Sequence, residues 1–263
     1  MATPPVAEGF QPRAHWAPTT PLRRVLFLLR LTVDLQTSSI HRDLRRELAG
    51  FSGRLLDVGC GNSPFRHLLD PATTQYQGVD VAAAADFGYR NPDTAYYDGH
   101  ALPFPDASFD AVQCTEVLEH IPDPTETIRE IHRVLRPGGR LFVTIPWSAR
   151  FHYQPLDYHR YTPSMLRQLF ASFPAPVIRP RGTDLSSIAS KVVVGYARNV
   201  LALKPGRPVD WLLWPVLLLI AVAAFPLLML ALFLGHCGIL WGLGSIDDPL
   251  GYTVTARKTV THG

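Results

Sequence analysis

The stretch Leu55-Leu56-Asp57-Val58-Gly59-Cys60-Gly61-Asn62-Ser63-Pro64 runs from an apolar segment into a glycine-rich turn. A short apolar run bounded by glycines reads as a buried strand, and the glycines let the backbone turn sharply and approach a ligand closely. A helix is expected from about Phe65, with its free first amides adding to the turn. Such a turn cradles a polar ligand. It departs from the dinucleotide pattern GxGxxG, because Pro64 stands where the third glycine belongs.

Outward from this turn, short apolar runs alternate with helical patterns, which predicts an α/β fold with a parallel sheet and crossover helices. The expected strands are Arg54 to Val58, Tyr76 to Val81, Thr94 to Asp98, Phe109 to Cys114 and Gly139 to Pro146. A helix over Pro124 to Leu135 stops at Arg136-Pro137-Gly138-Gly139, and another over Pro163 to Ala171 takes Thr162 as its N-cap. Strands at Val177 to Pro180 and Gly251 to Lys258 complete the set.

Composition narrows the partners. A chain of 263 residues at 47% hydrophobic and 18% charged buries one sizeable core and has room for an appendage. A net charge of +3 gives no support to nucleic-acid binding. Cys60, Cys114 and Cys237 are too few and too dispersed for a disulfide framework, so a reducing, cytosol-facing setting fits. Residues 1–20, rich in Pro, Ala and Thr, are expected to be a disordered tail rather than a secretory signal. Residues 21–49 carry leucines at helical spacing among Arg23, Arg24, Arg30, Arg42, Arg45 and Arg46, which predicts basic amphipathic helices. These either pack on the domain as a lid or lie on a membrane surface.

Downstream spacing sharpens the ligand. The second strand ends in Asp80, where a carboxylate can bind the two hydroxyls of a ribose. Then follow Asp98-Gly99-His100-Ala101-Leu102-Pro103-Phe104, Ser108-Phe109-Asp110, Glu116-Val117-Leu118-Glu119-His120 and Val134-Leu135-Arg136-Pro137-Gly138-Gly139. In this order the segments resemble the class I, Rossmann-like S-adenosylmethionine-dependent methyltransferases, in particular the broad small-molecule type 11 group. The resemblance covers residues from about 50 to about 180. It implies a mostly parallel sheet with an antiparallel last strand, and S-adenosyl-L-methionine as cofactor. It further implies that Gly59 and Gly61 line the methionine part, Asp57 helps hold its amino group, and Asp80 takes the ribose hydroxyls. Asp98, Gly99 and His100 fall where adenine is contacted, with Thr115 and Glu116 facing the cofactor after the fourth strand. The bland alternative for Asp98 is a loop-capping aspartate.

Methyl transfer from a sulfonium asks for orientation and a nucleophile in the right protonation state, for which histidine is the natural base. His120 follows the fourth strand and belongs at the sheet's carboxyl edge, in a substrate-side, cofactor-side or structural role. The run from His152 to Thr162 resembles an H-x-x-P-x-D-x-x-R-[YF]-T segment found in methyltransferases tied to bacterial surface glycans or lipids, and reads as the substrate loop. His152 and His159 are candidate bases, and Asp157 either orients one of them or pairs structurally with Arg160. A zinc site from His120, His152 and His159 matches no recognised ligand spacing, so no metal is expected.

Residues 206–249 form a hydrophobic insertion, with Trp211, Trp214 and Trp241 near its ends. Domain segments at 50–205 and 250–260 flank it, so it must enter and leave a membrane on one face. Pro226 divides it into halves too short to span separately, which disfavours two full spans and leaves a helical hairpin, a re-entrant loop or an interfacial pair of helices. The overall expectation is methylation of an oxygen on a lipid-linked, glycan or other amphiphilic acceptor at the cytoplasmic membrane face. The alternatives are a soluble natural-product methyltransferase and a non-catalytic, membrane-anchored cofactor-binding protein.

Overall fold

The computed structural model describes residues 17–82, 84, 89, 91, 93–153, 156–198 and 208–260. Most of the expected tail, residues 1–16, lies outside the described residues, as do residues 206 and 207 at the start of the expected insertion.

Among the described residues, one sheet holds β1 (Gly53–Val58), β2 (Thr74–Val81), β3 (Thr94–Tyr97), β4 (Phe109–Thr115), β5 (Leu135–Pro146), β6 (Val177–Arg181) and β7 (Gly251–Arg257). Their order is β3-β2-β1-β4-β5-β7-β6. Pairings of β1 with β2 and β4, of β2 with β3 and of β4 with β5 are parallel. β7 runs antiparallel to β5, from Arg140 opposite Arg257 to Pro146 opposite Gly251, as the resemblance implied. Leu55, Leu56, Val58, Val112, Val143 and Ile145 are buried, which explains why these strands read as continuous apolar runs. The strand order reverses on either side of β1, so the loops after β1 and β4 open a crevice at the carboxyl edge.

Local chemistry explains the helices on the sheet. In α3 (Pro124–Val134) the Asp123 side chain accepts the Thr125 amide and Pro124 opens the first turn, while Ile128, Ile131 and Val134 fill the core face. α4 (Pro163–Leu169) begins as expected, with the Thr162 hydroxyl accepting the Met165 amide. The N-terminal helices are α1 (Pro21–Val33) and α2 (Leu35–Glu47). Of α1, only Phe27 is buried, whereas Leu22, Val25, Leu26, Leu28, Leu29 and Val33 are exposed.

Two expectations change. The helix expected from Phe65 is a single 3-10 turn at Arg66–Leu68, without a side-chain cap. Ser63 sits at φ +49, with its hydroxyl on Tyr76 and Asn91, so it closes the turn instead of starting a helix. The insertion before the last strand is present, but Pro226 does not break it: α6 (Pro208–Trp241) runs through both Pro215 and Pro226. A hairpin nevertheless exists, with α5 (Asp184–Tyr196), which the sequence pattern did not reveal, as its other arm.

The chain divides into two compact units, of which the smaller comprises Leu28–Ser39 and Pro180–Leu250. Within it, the Ser186 hydroxyl donates to Gly235 O at 2.8 Å and the Tyr196 hydroxyl donates to Ala221 O at 3.1 Å, so the two arms run antiparallel. Thr183 Oγ1 donates to Leu243 O at 2.6 Å, and the Ser245 amide donates to Asp184 Oδ1 at 2.9 Å, closing the base of the hairpin. Gly235 and Gly238 allow the close packing, since a Cβ at either would come within 2.6 Å of a neighbouring side chain.

In the larger unit, Ile131 is fully buried in the sheet's core, whereas Arg129 on the same helix is exposed. Ile131→Ala is expected to lower unfolding stability by about 2–5 kcal/mol in denaturant titration, and Arg129→Ala by less than about 0.5 kcal/mol.

Candidate active site

β1 delivers a buried carboxylate to the carboxyl edge. Asp57 Oδ2 accepts the Tyr76 hydroxyl at 2.7 Å, while Oδ1 is buried with no hydrogen-bond partner of good geometry among the described residues. Burial lifts its pKa to about 6 against the lowering effect of Tyr76 and Gln113, with the nearby Asp80 adding to the rise. Gly59 follows at φ +67, where a Cβ would stand 2.4 Å from Val117 Cγ2. The Gly61 amide then donates to Asp80 Oδ2 at 2.9 Å, and the Val81 amide donates to Oδ1 at 2.9 Å. Asp80 thus closes the turn across β1 and β2, and burial raises its pKa as well.

These features fit S-adenosyl-L-methionine. An orphaned, buried carboxylate oxygen matches a cationic amino group, and the positive-φ turn from Gly59 to Gly61 sets its backbone at the same edge. Asp57, Gly59, Gly61 and Asp80 are brought together. The remaining cofactor-side candidates lie along neighbouring loops. Asp98 Oδ1 accepts the His100 amide at 2.9 Å and Gly99 takes φ +93, so the aspartate caps its loop. The His100 ring is exposed and faces Glu126 at 3.6 Å. Thr115 ends β4 opposite Thr144, and Glu116 follows at φ +53 with its amide on Thr144 O.

The loop from His152 to Thr162 is built directly onto the turn after β4. The amides of Tyr158 and His159 donate to Glu119 O at 2.8 and 3.3 Å, and the Tyr161 hydroxyl donates to Leu118 O at 3.0 Å. Asp157 performs both roles foreseen for it. It takes a two-pronged contact from Arg160 at 2.6 and 2.8 Å, and its Oδ2 accepts the His152 amide at 3.0 Å and lies 3.0 Å from His152 Nδ1. Burial would raise its pKa, but Arg160 and the His152 amide outweigh it and hold the carboxyl below its usual range.

The histidines separate. His120 and His152 meet edge to face with ring centroids 4.9 Å apart, and burial lowers the His120 pKa. His159 instead directs Nε2 at Ile121 O and Pro122 O, at 3.1 and 3.3 Å, which commits that nitrogen to fastening the loop. His120, His152 and His159 therefore do not form one grouping, and the lone pair of His159 is left on Nδ1.

Two tyrosines link the halves of the site. A Cβ on Gly61 would touch the Tyr89 ring at 3.4 Å, the Tyr89 and Tyr153 hydroxyls bond at 2.5 Å, and the Tyr153 ring lies 5.3 Å from both His120 and His152. Neither Tyr89 nor Tyr76 was marked by the sequence pattern. Glu119 was also missed, although its position beside His120 at the end of β4 was a usable signal.

Comparison with known proteins bears on the domain as a whole. Residues 56–143 match a family model described as a methyltransferase domain, spanning β1 into β5. The chain is 40% identical over 111 residues to 27-O-demethylrifamycin SV methyltransferase of Amycolatopsis mediterranei, covering 36% of this chain and 41% of that protein. It is 38% identical over 109 residues to the ubiquinone biosynthesis O-methyltransferase of Xanthomonas oryzae pv. oryzae, covering 38% and 45%. The chain thus spans less than half the length of these curated relatives. Among solved structures, phosphoethanolamine N-methyltransferase 2 of Haemonchus contortus in complex with S-adenosyl-L-methionine aligns with a TM-score of 0.51 at 15% identity, over 83% of this chain and 52% of that one. At that identity the likeness concerns the fold.

Gly59→Ala is expected to abolish measurable S-adenosylmethionine binding in calorimetry while the fold survives, because the new methyl enters Val117 and strains a positive φ. Adding Val117→Ala should relieve the clash and leave a penalty of about 1–2 kcal/mol.

Proposed function

We propose, for a chain that carries a class I S-adenosylmethionine-dependent methyltransferase domain, methyl transfer to an oxygen of a lipid-linked, glycan or other amphiphilic acceptor at the cytoplasmic face of a membrane. The observation that carries the membrane part is α6. Its segment Trp214–Trp241 has 28 residues, and its most apolar window has a mean hydropathy of 2.9 with only 12% of that window buried. Leu219, Val222, Leu227, Phe233 and Trp241 are each at least 60% exposed. A soluble protein rarely leaves a surface of this kind to water.

At 1.5 Å per residue the 13-residue α5 reaches about 20 Å, short of a hydrocarbon core of about 30 Å, so its pair with α6 suits a partial insertion and not two full spans. The antiparallel pairing of α5 with α6 supports an insertion that leaves and returns on one side. α1 adds a second amphipathic surface, with exposed leucines beside Arg23, Arg24 and Arg30, suited to anionic headgroups.

The cofactor supplies an activated methyl group, and the chain holds and orients it. Asp57 would take the amino group, Asp80 the ribose hydroxyls, and the Gly59–Gly61 backbone the methionine portion. On the acceptor side, Asp157 orients His152, and Leu156 O engages His120 Nδ1, so that in both rings Nε2 is the nitrogen available to take a proton. Both curated relatives are named for O-methylation or for methylating an O-demethyl compound, which favours oxygen. The rifamycin relative also gives weight to a natural-product acceptor away from a membrane.

Flotation with liposomes and transfer of labelled methyl into a native membrane extract distinguish these readings. The chain is expected to float and to label an organic-soluble product, and His152→Ala to slow labelling about 100-fold or more while cofactor binding survives. Full recovery in the aqueous fraction without detergent, with labelling of a water-soluble compound only, would contradict the membrane reading.

A further inference from the structure

Glu119 is the least comfortable side chain in the fold. It is fully buried, and neither carboxylate oxygen finds a hydrogen-bond partner of good geometry among the described residues. Leaving a carboxylate so is costly unless a proton or a cation meets it. His120 Nε2 stands 3.6 Å from Oε1, too long for a proton to be shared between them.

The neighbouring imidazoles are prepared to meet a cation. His120 directs Nδ1 at Leu156 O, and His152 directs Nδ1 at Arg150 O at 2.9 Å with Asp157 Oδ2 at 3.0 Å. An acceptor at Nδ1 places the ring proton there and leaves Nε2 with its lone pair outward. This carbonyl or carboxylate behind the ring is the arrangement found behind metal-bound histidines. One ligand atom from each of Glu119, His120 and His152 lies within 4.8 Å of the other two. Ligands about 2.0–2.2 Å from a zinc ion stand about 3.3–3.5 Å apart, so side-chain adjustments of about 1 Å would close the set.

We propose that Glu119, His120 and His152 form a binding site for a divalent transition-metal ion at the acceptor side of the methyltransferase domain. Two imidazoles and one carboxylate suit Zn²⁺, Co²⁺, Ni²⁺ or Fe²⁺ better than Mg²⁺, which prefers an all-oxygen shell. Three protein ligands leave a tetrahedral ion one open position, where an acceptor oxygen can bind and lose its proton more readily. The expectation of no metal rested on the spacing of His120, His152 and His159. The fold replaces His159 with Glu119, a ligand contributed by the turn after β4. The proposal rests on the acceptor-side reading of this pair and commits their Nε2 lone pairs to the ion in place of the acceptor's proton; its test is spectroscopic, so it succeeds or fails independently of methyl transfer.

The tag-free full chain, solubilised in detergent and stripped with a chelator, is titrated with Co²⁺ alone. One equivalent is expected to give a visible d–d absorption band that Zn²⁺ displaces and Mg²⁺ does not. His152→Ala and Glu119→Gln should each remove the band, and Asp157→Asn should weaken binding about 10–100-fold. S-adenosylmethionine binding reports that each variant is folded, and the two ligand variants stand in for one another if one fails. No band in the wild-type chain, or a band of unchanged affinity in a folded His152→Ala or Glu119→Gln chain, would overturn the proposal and leave Glu119 as a protonated buried acid.

Discussion

The rest of the site depends on the passage of the chain past Val117 at Gly59. At φ +67 and without a Cβ, that residue lets the loop after β1 lie against the turn after β4. Because β1 is flanked by β2 and β4 in the sheet, one tight turn gathers Asp57, Asp80 and the 115–120 segment at a single edge. The energetic demand of this arrangement is a buried carboxylate. Asp57 is tolerated through the Tyr76 hydroxyl and the Gln113 side chain, and its raised pKa records the strain. Low-dielectric surroundings that make such a group costly also make its pairing with a cationic ligand strong.

Much of the fold was legible in the sequence because its determinants are local. Buried parallel strands read as apolar runs, and Asp123-Pro124 and Thr162-Pro163 announced their helices by capping chemistry. Elements decided by tertiary contact were not. Ser63-Pro64 resembled a helix start, yet the Ser63 hydroxyl is held by Tyr76 and Asn91 and the chain makes only a 3-10 turn. Pro226 resembled a break, but α6 runs through it, as it does through Pro215. α5 itself went unseen because its pairing partner lies some distance along the chain.

The site divides along the same line. Glycines and strand-end acids are visible because their spacing is set by the sheet. The acceptor loop depends on which carbonyl each imidazole finds: Leu156 and Arg150 hold His120 and His152, whereas Ile121 and Pro122 occupy His159. Nothing in the run from His152 to Thr162 separates those fates. Glu119 illustrates the point most strongly, since its significance lies in burial without partners, a property of the folded molecule alone.

The central claim is that the β1 turn, with Asp57 behind it, receives the cationic cofactor. The sign follows from a folded pKa raised to about 6, above the ordinary carboxylate value. The raised value stabilises the ligand-free fold below the unfolded pKa, and that stability is lost as pH rises through about 6, where the carboxylate becomes available to the ligand. The most direct measurement is S-adenosylmethionine affinity by calorimetry from about pH 5 to about pH 8, in the wild-type chain and in Asp57→Asn. The expected result is a plateau above about pH 6, a loss approaching tenfold per unit below it, and weak, flatter binding in the variant. Wild-type affinity that is flat across the range, or an Asp57→Asn chain that binds as tightly, would contradict it.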